Sequence, residues 1–272
     1  MADDVDRYPH GVPCWIDTTH PDVPGAARFY RGLFGWDVRE TPAGLVARID
    51  GHDVAGIGGP PGGPAEPGWT TYIRVDGADD AVAAVRRAGG RVLAEPSDVE
   101  GAGRTATVAD PSGAVFRLWE ARGRRGAEVV NDGADGAWNW SNLQTPDPAG
   151  AQAFYAAVFG WRAVPLGPSS MWVLPGYREV LERFYPGLRE RHEAQGVPDD
   201  FSNSVGWVLE GADARWTVTF AVADTDRTVE RAVALGATVR VAPHTVDPVR
   251  TAELTDPQGV AFTVNTYQPG RG

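Results

Sequence analysis

Apolar residues recur at helical spacing in two stretches, Ala26, Phe29, Tyr30, Leu33 and Phe34, and then Ala151, Phe154, Tyr155, Val158 and Phe159. Spacings of three and four place each set on one face of a helix. Asp22 and Asp147 stand where each helix should start, and Pro148 suits a first turn. Gly35 and Gly160 suit the left-handed residue that ends a helix. The stripes are read as helix-to-sheet core. Strand-like runs precede them (Cys14–Thr18; Asn139–Leu143) and follow them (Gly44–Ile49; Met171–Leu174). A strand then restarts in each half (Thr70–Val75; Thr217–Val222), with a second helix at about Asp79–Ala88 and Asp226–Leu235, stopped by Gly89 and Gly236. D-P-x-G turns at Asp110 and Asp256 fit a type I turn. They lead into closing strands Ala114–Trp119 and Val260–Asn265.

The pattern is a tandem repeat. His20–Trp36 (HPDVPGAARFYRGLFGW) matches Thr145–Trp161 (TPDPAGAQAFYAAVFGW) at nine of 17 positions. WTTYIRV from Trp69 matches WTVTFAV from Trp216, and the D-P-x-G turns match in turn. A repeat of this kind precedes any other fold assignment. The expected modules are residues 1–122 and 136–272, joined by a Gly-, Ala- and charge-rich linker at 123–135. Each module holds two strand–helix–strands units. The copies differ in one place: 33 residues separate Trp36 from Trp69, but 55 separate Trp161 from Trp216. The excess lies at about 177–201 and has helical character, with Val180, Leu181 and Phe184 on one side and a break at Pro186. It reads either as a surface or interface helix or as a lid. The Gly/Pro run Gly56–Gly68 leads into prolines rather than a helix N-terminus, so it reads as a loop and not a phosphate cradle.

Composition narrows the picture. The 272 residues suit two cores, and 42% hydrophobic with 10% aromatic content suits a folded chain. A net charge of −11 opposes nucleic-acid and anionic-membrane binding. No apolar run approaches a signal sequence or a membrane span, so the expected compartment is the cytoplasm. Cys14 is the only cysteine, which excludes an intrachain disulfide and a thiolate cluster and reads as a small hydrophobe. The histidines (His10, His20, His52, His192 and His244) are scattered and read mostly as solvated loop residues.

The paired strand–helix–strands units, with a first helix ending F-Y-x-x-x-F-G-W, resemble the vicinal oxygen chelate superfamily of glyoxalases, bleomycin-resistance proteins and extradiol dioxygenases. The chain is similar in particular to tandem glyoxalase-like proteins of actinobacteria, over about residues 10–268. The resemblance implies an α+β fold: two tandem glyoxalase-like modules, each a pair of βαβββ units forming a curled mixed β-sheet cleft with helices outside. It also implies, in metalloenzyme members, His, His or Gln, and Glu ligands on the first strand, the strand opening the second unit and the last strand. Those positions hold Trp15 and Trp140, Thr70 and Thr217, and Arg117 and Thr263. None is a good ligand, and Arg117 opposes a divalent ion. No metal and no cofactor are expected.

Strand alternation sets out a cleft face. With Ile16, Thr18, Ser141, Leu143, Ile73 and Val75 toward the core, the cleft receives Trp15, Asp17, Tyr72, Arg74 and Arg117 in one copy. In the other it receives Trp140, Asn142, Thr217, Glu253 and Thr263. Thr105, Thr107, Val115, Thr219, Thr251 and Asn265 complete the set. Flat aromatics with a few polar handles suit an aromatic or polycyclic ligand. The competing reading makes Asp17, Arg74 and Arg117 an ion-pair network and the tryptophans core filling. Three functions follow in order. The first is a metal-free small-molecule binder of resistance or sequestration type. The second is a metal-independent enzyme with Asp17 or Glu253 as base and Arg117 or Arg74 stabilising an oxyanion. The third is a metal-dependent glyoxalase or dioxygenase. The expected partner is a small molecule, with the chain a monomer or homodimer.

Overall fold

In a computed structural model of the chain, the first repeat runs β1 (Pro13–Thr19), α1 (Val23–Phe34), β2 (Asp37–Thr41), β3 (Gly44–Ile49), β4 (His52–Ile57), β5 (Gly68–Arg74), α2 (Ala78–Arg87), β6 (Arg91–Val99), β7 (Gly103–Ala109) and β8 (Val115–Ala121). The second runs β9 (Ala137–Thr145), α3 (Pro148–Phe159), β10 (Arg162–Leu166), β11 (Ser169–Val173), α4 (Tyr177–Phe184), α5 (Leu188–Ala194), a 3-10 turn (Asp199–Asn203), β12 (Ser204–Glu210), β13 (Arg215–Ala221), α6 (Thr225–Ala234), β14 (Thr238–Val246), β15 (Val249–Thr255) and β16 (Ala261–Tyr267). The structure describes residues 8–42, 44–58, 67–130, 134–166, 169–184, 186–194, 199–246 and 248–268. The middle of the Gly/Pro loop, part of the linker (131–133) and parts of the extra segment (185 and 195–198) lie outside the described residues.

Local chemistry explains the helices. Asp22 and Asp147 cap α1 and α3 by accepting the Gly25 and Gly150 N–H groups, at 3.0 and 2.9 Å. A Cβ on either glycine would lie within 2.2 Å of the capping carboxylate, so the repeated D-x-x-G spacing is a steric requirement. Gly35 and Gly160 close the helices at φ 71° and 75°. The apolar stripes are buried as expected, as is Cys14. The extra residues form α4, α5 and the 3-10 turn. Among the described residues no helix is long and apolar enough to cross a membrane.

Each repeat forms an eight-stranded mixed sheet, in the orders β2-β3-β4-β1-β5-β8-β7-β6 and β10-β11-β12-β9-β13-β16-β15-β14. β1 runs parallel to β4 and β5 to β8, as do β9 to β12 and β13 to β16. The compact units interleave these repeats. The first comprises Met1–Cys14, Tyr72–Arg125 and Asn142–Trp216, and the second Trp15–Thr71, Gly126–Ser141 and Thr217–Gly272.

In each unit the first helix of one repeat therefore covers closing strands of the other. In the first unit Phe116 of β8 meets Phe154, Tyr155 and Phe159 of α3, with ring centroids 6.3, 5.6 and 6.0 Å apart. In the second, Phe262 of β16 meets Phe29, Tyr30 and Phe34 of α1 at 6.1, 5.9 and 6.3 Å.

Matched hydrogen-bond chains lock these cores. Trp216 Nε1 donates to the Tyr155 hydroxyl (3.0 Å), which donates to Asp110 Oδ2 (3.3 Å). Trp69 Nε1 donates to Tyr30 (3.1 Å), and Tyr30 to Asp256 Oδ2 (3.2 Å). The other oxygen of each aspartate accepts turn N–H groups, from Gly113 and Ala114 in one case and Gln258 and Val260 in the other. The D-P-x-G aspartate thus ties its own turn to a tyrosine of the other repeat. Burial pushes both phenols well above their ordinary range, with the neighbouring aspartate adding to the rise.

The histidines depart from expectation. His52 and His244 lie on strands and His192 on α5. His20 is not solvated but buried, its Nε2 2.9 Å from the Thr18 hydroxyl and 3.5 Å from Asp256 Oδ2.

Candidate functional site

Because Phe116, Phe220 and Phe262 face the helices, their strand neighbours Arg117, Thr219 and Thr263 face the other side of the sheets. Residues on this second face were the expected cleft. The repeats treat it differently.

In the first repeat the face is filled. Within the first unit, Tyr72 of β5 pairs in register with Arg117 of β8. The Arg117 guanidinium donates to the Tyr72 hydroxyl, and its carbon lies 5.2 Å from the ring centroid. The edge of the Tyr72 ring meets Trp119, with centroids 5.9 Å apart. Thr107 and Thr105 of β7 sit opposite Arg117 and Trp119. All five are buried, Arg117 to 1% exposure. Within the second unit, Trp15 and Asp17 of β1 are likewise buried. Asp17 pairs with Gly56 of β4, where a Cβ would come within 2.8 Å of Asp17 Cβ and 3.4 Å of Trp15 Nε1. Glycine is what lets those side chains lie flat against β4. Asp17, a candidate base by sequence, is therefore a buried carboxylate, 3% exposed.

Arg74, two residues beyond Tyr72, pairs in register with Trp119 of β8 and also meets the exposed Asp76 at 2.6 Å. It lines a cavity of about 540 Å³ at the end of β5.

In the second repeat the matching positions hold smaller side chains, most of them half-buried. Thr219 stands beside Thr263, Glu253 opposite Thr263, and Thr251 opposite Asn265. So Tyr72, Arg117 and Trp119 become Thr219, Thr263 and Asn265, and one threonine, Thr107, becomes Glu253. Thr217, Thr251, Glu253, Thr263, Asn265 and Trp140 are all half-buried, while Thr219 is buried. Asn265 Oδ1 accepts from Asn139 Nδ2 at 3.1 Å. In the first unit, Asn142 of β9 pairs in register with Trp207 of β12, both half-buried. Trp207 occupies the place of Gly56. Sequence reasoning missed it, and its only signal was that register.

The metal-ligand positions can now be checked on their neighbours. The residue beside Arg117 is Tyr72, and beside Thr263 it is Thr219, two positions along from the expected Thr70 and Thr217. The parallel register moves the pair. A buried guanidinium, a phenol and threonines supply no set of nitrogen, sulfur or carboxylate donors, so these residues do not fit a divalent cation. Among the described residues no three His, Cys, Asp or Glu side chains converge elsewhere.

Fold and site together define a tandem two-domain protein of the glyoxalase type, and sequence comparison agrees. The Glyoxalase/Bleomycin resistance protein/Dioxygenase superfamily profile matches residues 15–118, and the Glyoxalase-like domain profile matches residues 140–265. The chain belongs to this superfamily.

It is 37% identical to "Putative glyoxylase CFP32" of Mycobacterium tuberculosis, covering 95% of each chain. It is 34% identical to "Anthracycline biosynthesis protein DnrV" of Streptomyces peucetius, over 97% of this chain and 96% of that relative. Among solved structures it shares the fold of a Mn(II)-bound glyoxalase from Novosphingobium aromaticivorans. There the TM-score is 0.61 at 14% identity, over 94% of this chain and 82% of that one.

Proposed function

We propose that the chain is a metal-free small-molecule-binding protein. Its ligand, an aromatic or polycyclic metabolite, lies on the second repeat's outer sheet face in the second unit, against Trp140, Thr217, Glu253 and Thr263. One observation carries the reading. Where the first repeat packs Tyr72, Arg117 and Trp119, the second carries the smaller Thr219, Thr263 and Asn265, of which Thr263 and Asn265 are only half-buried. Small side chains beside an indole suit a flat ligand, and the hydroxyls and amide suit its oxygens. The name of the relative DnrV, an anthracycline biosynthesis protein, supports a polycyclic ligand class. The absence of a fitting donor set at the superfamily's ligand positions supports the metal-free part.

The test is titration of the purified protein with an anthracycline aglycone, read by tryptophan quenching, alongside elemental mass spectrometry after loading with iron, manganese, nickel and zinc. Saturable quenching without near-stoichiometric metal is expected. Retention of one metal overturns the metal-free reading, and absence of saturable quenching overturns the ligand class.

A second reading is favoured by Glu253, the carboxylate opposite Thr263 on that face. A half-buried carboxylate beside a bound polyketide-like ring could take a proton from it, making the protein a metal-independent enzyme. Product formation that Glu253→Gln abolishes, with affinity kept, would select this reading over simple binding.

A further inference from the structure

Independently of that face, the first unit holds a cavity of about 540 Å³, within the range of small-molecule sites. His10, Arg74 and Asp76 line it on one side, and Leu174, Val180 and Arg183 on the other. Val180 and Arg183 belong to α4, which the first repeat lacks, and Leu174 lies just before it. That wall is built in place: Asn203 accepts the Leu174 N–H on its carbonyl (2.9 Å) and the Arg178 N–H on its side chain (2.9 Å). The opposite wall is held by the Gly11 N–H to the Arg74 carbonyl (2.8 Å) and the Arg74 N–H to the Val12 carbonyl (2.9 Å).

Charge inside the cavity runs against the chain. The protein carries −11, yet the lining sets two arginines against one carboxylate. Asp76 is engaged by Arg74 at 2.6 Å and lies 3.8 Å from the His10 ring. The acids of α4 are turned to other work. Glu182 accepts the Gly187 and Arg189 N–H groups, and Glu179 lies 3.8 Å from Arg178. Arg183 makes no ion pair among the described residues. Leu174 and Val180 supply apolar surface beside these cations.

We infer that this cavity binds a small organic anion with an apolar body, its carboxylate held by Arg183 and Arg74 and its body laid against Leu174 and Val180. Arginine's planar donor fork matches a carboxylate in geometry as well as charge. The extra segment of the second repeat is then the wall of a separate anion site, not a cover for the sheet face.

The probe is 2-naphthoate, followed by its own fluorescence on the full chain, with its methyl ester as the neutral control. Saturable naphthoate binding is expected, with the ester about tenfold weaker. Arg183→Gln should weaken naphthoate about tenfold while Arg183→Lys restores part of the loss, and Val180→Trp should abolish binding by filling the space. Arg183 is exposed, so neither of its substitutions threatens folding. Saturating anthracycline aglycone should leave naphthoate affinity unchanged. Equal binding of acid and ester, unchanged affinity in Arg183→Gln, displacement by the aglycone, or no saturable binding would each overturn the inference. The ester control and the Arg183 variants read the same way whether or not the aglycone binds, so they separate this inference from the proposed function.

Discussion

The two repeats share their helix caps, aromatic stripes and D-P-x-G turns, yet the outer faces of their sheets serve opposite ends. In the first repeat that face is a packed interior built around Arg117, Tyr72 and Trp119. In the second, the smaller Thr263 and Asn265 are half-buried beside a buried Thr219. Duplication supplies two copies of one scaffold. Once one copy contributes a solid core, the other is free to lose side-chain volume. The difference lies in a handful of positions at fixed register, not in the scaffold, so it can be exchanged.

The largest effect should come from emptying the filled face. Arg117→Thr gives the first repeat the residue of the second, removes a fully buried side chain and strips the Tyr72 hydroxyl of its donor. The cost should be about 3 kcal/mol of stability, read by urea denaturation. A loss below about 1 kcal/mol would show that Arg117 is not structural.

The reciprocal change, Thr263→Arg, should fill the open face and weaken aglycone binding about a hundredfold, equivalent to about 2.7 kcal/mol. Its thermal stability should change little, because the position is half-exposed. Unaltered affinity would move the ligand off this face.

Tyr155→Phe and Tyr30→Phe test the cores that the repeats share. Each leaves a buried indole N–H and a buried carboxylate oxygen short of one partner, and each should cost about 1–2 kcal/mol in calorimetry. Similar losses are expected because the two chains of hydrogen bonds match. A loss in only one variant would break the symmetry.

The smallest effect is a pH dependence that the repeats do not share. Burial holds His20 below its ordinary value of 6.5, against the upward pull of Asp256 and Asp22. The unfolded chain then takes up a proton before the folded one does, so this contribution to stability falls as pH drops through 6.5 toward the lowered value. The second repeat carries Thr145 at this place, its hydroxyl accepting the Asp147 N–H at 3.2 Å. His20→Thr should therefore flatten the decline in melting temperature between pH 7.5 and 5.5. Asp110 acts with the opposite sign. Burial raises its carboxyl above 3.8, so its contribution to stability grows as pH falls toward that value. An unchanged slope in His20→Thr would remove His20 as the cause.

The legible parts of the molecule were those set by neighbours in sequence. The caps at Asp22 and Asp147, the terminating Gly35 and Gly160, the buried stripes and the turns all depend on residues within about five positions. The superfamily was legible as a resemblance, carried by the F-Y-x-x-x-F-G-W helix ending, the D-P-x-G turn and their duplication. The site was legible only as a row of positions. Alternation singled out Trp15, Asp17, Tyr72 and Arg117, but could not show that all four are buried. Their packing depends on which strand lies beside which and in what register. Arg74 illustrates the limit, since its partner Asp76 lies just past the strand end, where alternation stops applying. Trp207 was invisible until β12 was seen beside β9.

By itself the sequence determined a duplicated α+β scaffold of the glyoxalase type, because helix periodicity, capping and turn chemistry are local and occur twice. Tertiary structure alone decided three further things. It tied Tyr30 to Asp256 and Tyr155 to Asp110, interleaving the repeats. It closed one sheet face and left the other half-open. It also set α4 across from Arg74 to enclose a cationic cavity. Each depends on contacts between residues far apart in the chain, whose distances are fixed only when strand order and register bring their side chains together.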